Sequence, residues 1–180
     1  KVVLALAAYR AGYTWFTHDC AGSVEVGDQT FRCAEGRAHG LVNLRGALEE
    51  SCNCYFIELG RVLGWQRILK AAQDFGFGTA AALAPGLRSA EGELPAPETL
   101  TDSNGGQLAM FAFGQGALTV TPLQIAAMMN AIAGDGTWYP PQIVAGVIEQ
   151  ENLALLTPFV TADPVRVCDA DTARILRSML

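Results

Sequence analysis

No run of about 20 apolar residues occurs in the chain, so nothing in it reads as a membrane-spanning helix. Histidine occurs only at His18 and His39, and lysine only at Lys1 and Lys70. Twelve basic residues face 18 acidic ones, a formal charge of −6, which argues against nucleic acid or an anionic membrane surface as partner. Charged residues are only 17% of the 180 and hydrophobic ones 51%, the balance of a globular domain and not of a disordered chain. No internal repeat is visible. Cysteine is present in odd number, at Cys20, Cys33, Cys52, Cys54 and Cys168, which excludes a fully paired disulfide framework. A chain of this length buries about 70% of its unfolded surface and needs neither disulfide nor metal to fold.

What is there is mostly helical. The opening, "KVVLALAAYRAG", is apolar nearly all round until Arg10 and lacks a small-residue cleavage site. It reads as a buried helix over 2–11 and not as a leader. It has no N-cap residue before it, and the closing helix over 170–180 has no C-cap, so both ends look cut from a longer protein. "SVEVGDQTFRC" is a β-hairpin turning at Gly27-Asp28, and Cys20 and Cys33 flank it. A disulfide between those two and a pair of neighbouring free thiols both fit that placement. Gly36, His39 and Gly40 mark a loop. Asn43 is a good N-cap for "LRGALEE", a second helix runs through "CYFIELGRVLG" to Gly64, and a third, amphipathic one ends at Gly76. Residues 79–106 are rich in Ala, Pro, Gly, Ser, Thr and Glu, a loop excursion of the kind that borders clefts. Thr121 and Pro122 open a further helix that Gly134 stops, and a strand is expected over 143–149.

The stretch "EESCNCYFIELG" (49–60) carries the candidate chemistry. Cys52 and Cys54 are spaced C-x-C, whereas structural zinc sites use two to four intervening residues and a second ligand pair. No second pair stands at a useful sequence distance, so no metal is expected. A Cys52–Cys54 disulfide would be strained, and both thiols read as small buried hydrophobes. Ser51 and Asn53 would point about 200° apart inside a helix. They converge only in a tight connection between two helices, which is where they stand. A hydroxyl relays protons and a carboxamide both donates and accepts hydrogen bonds; the plain alternative is that one of them caps the next helix.

The order of segments adds to this. "NLRGALEESCNCYFIELG" (43–60) resembles the Ser-x-Asn region of the penicillin-binding transpeptidases. "FGQGALTVTPLQIAAMMNAIAGDGTWYPP" (113–141) resembles the Gly-Gln-Gly segment and Thr-Pro-Leu-Gln helix of the same family. "KVVLALAAYRAG" is similar to the helix that follows its Ser-x-x-Lys motif, and "CAGSVEVGDQTFRC" to a hairpin some members carry between the first two motifs. The match is nearest to class B, monofunctional members of cell division, elongation or sporulation.

The resemblance implies acyl transfer by a serine that attacks the D-Ala–D-Ala carbonyl of a peptidoglycan stem peptide and is trapped by β-lactams. Matched residue by residue, Lys1 is the lysine of the first motif and the base. Ser51 relays the proton to the leaving amine, and Asn53 holds the substrate amide and helps fix Lys1. No cofactor is implied. The nucleophilic serine would stand three residues before Lys1, and no Lys-Thr-Gly or Lys-Ser-Gly occurs among the 180 residues. At 84–92, "APGLRSAEG" departs from the Asp-Leu-Pro-Gly-Glu-like run of many relatives. The expected architecture for 1–180 is therefore the central helical part of one transpeptidase domain, predominantly α with small β elements. It is a partial α/β fold lacking most of its central antiparallel sheet, and inactive by itself. Exposed apolar surface and self-association are expected of such a piece. Cell-wall synthesis proteins are the implied partners, at the extracytoplasmic face of the bacterial membrane, with an anchor helix upstream. A β-lactam sensor of the same fold, acylated without turnover, is the alternative.

Overall fold

The computed structural model describes residues 1–101, 104–151, 154–159 and 162–180. Among the described residues helix accounts for about 41% and strand for about 19%, so the expected helical dominance holds. Helix α1 (Val2–Ala11) buries Leu4 through Ala8 without a polar face and ends at Gly12, whose φ of 74° closes the helix. Strand β1 (Thr17–Cys20) follows, then the hairpin of β2 (Ser23–Val26) and β3 (Gln29–Arg32), paired with Val26 opposite Gln29 across the Gly27-Asp28 turn. Strand β4 (Gly40–Asn43) runs antiparallel to β1, with Cys20 opposite Gly40 and Thr17 opposite Asn43. The loop expected at Gly40 is therefore strand. Its four residues are too few for an alternating pattern, and its partner lies three strands earlier in sequence.

Helix α2 (Leu44–Glu49) starts where expected, the Asn43 side chain accepting the Gly46 N–H at 3.0 Å. Helix α3 (Asn53–Leu63) is the hub of the core. Tyr55, Phe56, Ile57, Leu59 and Leu63 are fully buried, each such side chain contributing about 1.5–3 kcal/mol by leaving water. Helix α4 (Trp65–Asp74) lays Ile68, Leu69, Ala71 and Ala72 against α1 and α3. Arg10 ties α1 to Asp74 at 2.7 Å and to the Val167 carbonyl at 2.8 Å.

The 79–106 stretch contains one short hairpin, β5 (Ala82–Ala84) with β6 (Leu87–Arg88), around Pro85-Gly86. Helix α5 (Gly106–Phe113), not anticipated from sequence, packs across α3. A Cβ on Gly60 would meet the Ala112 Cβ at 2.5 Å, so glycine sets how closely these helices approach. Helix α6 (Pro122–Ala133) pairs with the terminal α7 (Ala170–Arg177). Strands β7 (Thr137–Trp138), β8 (Gly146–Ile148), β9 (Leu155–Pro158) and β10 (Val165–Arg166) pair as β7 with β10 and β8 with β9. The strand expected over 143–149 is thus shorter, Gly146–Ile148. Every ladder among the described residues has two strands, which agrees with a partial fold. Trp15, Leu41, Ile143, Val147 and Ile148 are all more than half exposed, the apolar surface expected of it.

Candidate active site

Lys1 immediately precedes α1, and its carbonyl accepts the Ala5 N–H at 3.0 Å. The buried α1 thus fixes the position from which the lysine side chain extends. Its Nζ donates to Ser51 Oγ at 2.8 Å and to the Ser51 carbonyl at 3.1 Å, across 50 residues of sequence. Two of the three candidate residues therefore meet directly.

The Ser51 geometry comes from how α2 stops. Glu50 N–H reaches the Gly46 carbonyl at 2.9 Å and Cys52 N–H the Ala47 carbonyl at 2.9 Å, satisfying the open end of the helix. Closing it this way puts Ser51 at φ 52°, one of two non-glycine residues at positive φ among those described. Helix stops of this kind usually carry glycine or asparagine. A side chain there costs about 1–2 kcal/mol, and such strain gathers at functional sites. Cys52 then returns to extended backbone and caps α3, its sulfur accepting the Tyr55 N–H at 3.4 Å. The cap is thus the cysteine and neither Ser51 nor Asn53.

Asn53 is the first residue of α3, and its amide nitrogen donates to the Arg32 carbonyl at 2.9 Å. That bond holds the carboxamide at the end of β3, beside the Ser51 turn. The structure links Asn53 to the hairpin by this bond, whereas Lys1 is held by Ser51.

Burial pushes the Lys1 ammonium below its ordinary range, opposed by the nearby Cys33 and Cys52 thiols. An apolar cleft of about 320 Å³ adjoins the lysine, with Val3, Phe111, Phe113, Leu118 and Met128 in its wall. A lysine beside such a wall sheds its proton more readily and can act as a base.

Cys20 and Cys33 follow the free-thiol alternative, and Cys52 and Cys54 are buried as expected, but the two pairs stand closer together than their sequence spacing suggested. Cys20 and Cys33 stand with sulfurs 3.7 Å apart as free thiols, and Cys33 is 3.8 Å from Cys52 and 3.5 Å from Cys54. The second ligand pair that sequence spacing failed to supply is thus brought beside Cys52 by the β1–β4 pairing and the β2–β3 hairpin.

Sequence reasoning also missed Gln124. It is 5% exposed, and its amide nitrogen donates to the carbonyls of Gly76 (3.1 Å), Thr79 (3.3 Å) and Glu91 (2.8 Å). Its side-chain oxygen accepts the Thr121 N–H at 2.8 Å, while Thr121 Oγ1 accepts the Gln124 N–H. This capping box fixes the carboxamide, and its nitrogen pins the 79–91 segment to α6. The Thr-Pro-x-Gln spelling was its signal.

The family model of the penicillin binding protein transpeptidase domain matches residues 1–180. Penicillin-binding protein PbpB of Mycolicibacterium smegmatis is 32% identical over 99% of this chain and 27% of its own length. Stage V sporulation protein D of Bacillus subtilis is 35% identical over 68% of this chain and 18% of its own length. The chain therefore spans about a fifth to a quarter of these curated relatives. Penicillin-binding protein A of Mycobacterium tuberculosis, solved as an imipenem acyl-enzyme complex, superposes with a TM-score of 0.83 at 26% identity, over 99% of this chain and 41% of that one.

Proposed function

The chain belongs to the penicillin-binding protein transpeptidase domain family, and we propose that it supplies the general-base and proton-relay half of a peptidoglycan D,D-transpeptidase centre. The observation that carries this reading is the 2.8 Å bond between Lys1 Nζ and Ser51 Oγ.

In the reaction, neutral Lys1 takes the proton of the nucleophilic serine, which stands three residues before it. The serine oxygen bonds to the D-Ala–D-Ala carbonyl carbon, and a tetrahedral intermediate forms. Its collapse breaks the peptide C–N bond, and Lys1 returns the proton through the Ser51 hydroxyl to the leaving D-alanine amine. An amine of a neighbouring stem then attacks the acyl-enzyme along the same relay in reverse. Asn53, its nitrogen anchored on Arg32, faces its carboxamide to the substrate amide. β-Lactams are opened by the first step and stall before the second. The acyl-enzyme form of the mycobacterial relative supports this step. The 180 residues contain no Lys-Thr-Gly and are expected to turn over nothing by themselves. Their exposed apolar side chains should make them self-associate, which sedimentation velocity over a concentration series would register. The parent protein acts outside the cytoplasmic membrane, on wall stem peptides.

The test is to incubate the full-length protein with a penicillin and map the adduct by peptide mass spectrometry. The reading expects one adduct, on the serine three residues before Lys1. A protein left unmodified, or modified elsewhere, would remove Lys1 and Ser51 from the assigned roles.

A further inference from the structure

Four potential ligands from four different segments converge behind the Ser51 turn. Cys20 ends β1, Cys33 follows β3, His39 precedes β4, and Cys52 caps α3. The three sulfurs and one imidazole nitrogen all lie within 4.8 Å of one another. The three thiols are buried, at 1%, 3% and 0% exposure, and His39 is half-buried.

The separations fit a coordination shell; thiols merely in contact stand this close too, so it is the imidazole that sets this cluster apart from packing. Around one tetrahedral zinc, Zn–S of about 2.3 Å and Zn–N of about 2.05 Å require sulfurs about 3.8 Å apart and sulfur about 3.6 Å from nitrogen. Three pairs stand at these separations, 3.7 Å for Cys20–Cys33, 3.8 Å for Cys33–Cys52, and 3.5 Å from Cys20 Sγ to His39 Nδ1, and the other three lie within 4.8 Å. Hydrophobic packing needs no imidazole nitrogen aimed at a thiol. Nor does it need a backbone N–H on the Cys20 sulfur, yet Gly22 N–H reaches it at 3.4 Å, while the Tyr55 N–H on Cys52 Sγ, also at 3.4 Å, is the helix cap. Such N–H···S bonds stabilise thiolate and orient it, the outer shell that metal thiolates use. The turn that folds the Cys20 segment back is equally specific: a Cβ on Gly22 (φ 93°) would strike the Gly36 carbonyl oxygen at 2.2 Å.

We propose that Cys20, Cys33, His39 and Cys52 form a mononuclear tetrahedral site for a thiophilic cation, zinc by its chemistry, that braces the Ser51–Asn53 turn from behind. Three sulfurs and one nitrogen select a soft or borderline ion over magnesium or calcium. Ligand atoms this close suit one ion and would have to spread to admit an iron–sulfur cluster. Binding forms three metal–sulfur bonds and one metal–nitrogen bond, and the protons on the bound thiols leave to solvent. Because Cys52 lies between Ser51 and Asn53, the ion cross-links both small sheets to the peptide that positions those two side chains. The site is structural: all four positions are taken by protein, and it performs no step of acyl transfer.

The test uses Co²⁺ as the probe, on tag-free, full-length protein prepared reduced and metal-free. Cobalt should saturate at one equivalent, with the intense visible bands of tetrahedral coordination and a near-ultraviolet thiolate-to-cobalt charge transfer, and Zn²⁺ should displace it. His39→Ala should weaken cobalt binding at least tenfold and shift the visible bands, Cys20→Ser should diminish the charge transfer, and Cys168→Ser should leave the spectrum unchanged. A weak, octahedral cobalt spectrum in the wild-type protein would overturn the proposal, and so would an unaltered tetrahedral spectrum in both ligand variants. Neither readout requires transpeptidation, so the site and the proposed function stand or fall separately.

Discussion

Replacing Ser51 by glycine separates the strain at that position from its chemistry. Ser51 holds φ 52°, a conformation that costs a side chain about 1–2 kcal/mol and glycine nothing. Its hydroxyl accepts from Lys1 Nζ at 2.8 Å, a charge-assisted bond of about 1.5–3 kcal/mol. In Ser51→Gly the relief of strain and the loss of that bond oppose each other, so the net change in unfolding free energy should lie between a gain of about 0.5 and a loss of about 2 kcal/mol. Activity has no such compensation. Losing a proton relay costs about 10²–10⁴-fold in rate. Penicillin acylation of the full-length Ser51→Gly protein, followed by stopped-flow or gel fluorescence, should therefore slow by at least 100-fold while chemical denaturation registers a loss of at most about 2 kcal/mol. Ser51→Ala, which keeps the strain, should slow equally and be less stable than Ser51→Gly by about 1–2 kcal/mol. Acylation within threefold of wild type in both variants would refute the reasoning, because strain would then serve no chemistry.

Three further outcomes follow from the same geometry. Only neutral Lys1 can take a proton, and burial lowers its pKa. Raising the pH through that lowered value fills the active form, so acylation should climb and level off below the ordinary lysine range. A limb that keeps rising beyond pH ~10.5 would contradict the burial argument. Gly60→Ala drives a Cβ to 2.5 Å from Ala112 and should cost about 1–3 kcal/mol by overpacking, measured by urea denaturation; an unchanged midpoint would show that α3 and α5 can part freely. Gln124→Leu removes an NH2 whose two hydrogens are shared among three carbonyls, and the two bonds its oxygen accepts from Thr121. It should lower stability by about 3 kcal/mol and speed proteolysis within 79–91, whereas a loss under about 1 kcal/mol would mean that water replaces the amide.

The helices were legible because their signals are local. Asn43, Thr121-Pro122, Gly64 and Gly76 mark ends where the chain itself supplies or stops a cap, and α3 and α4 carry a 3.6-residue apolar period. The Ser51–Asn53 turn was legible as a break between two such helices, and the segment order pointed to the family. What escaped depended on pairing between distant segments. Strand β4 is four residues whose partner lies 20 or more positions earlier, and α5 begins on two glycines that read as loop. The cysteine–histidine cluster escaped for the same reason. Along the chain its ligands stand as C-x12-C-x5-H-x12-C, outside the short spacings of self-contained zinc motifs, and only the β1–β4 ladder closes them. Asn53 shows the converse: its place in the motif was legible, but its anchor on Arg32 was not, because a backbone carbonyl has no sequence signature.

The central claim is that Lys1 and Ser51 act as one proton-handling unit, and a double-mutant cycle on penicillin acylation tests it most directly. If the account is right, Lys1→Ala, Ser51→Ala and the double variant of the full-length protein acylate at nearly the same reduced rate, since removing either member disables the unit. If the two losses multiply instead, the residues act independently, and the 2.8 Å bond between them is a structural contact without a part in the chemistry.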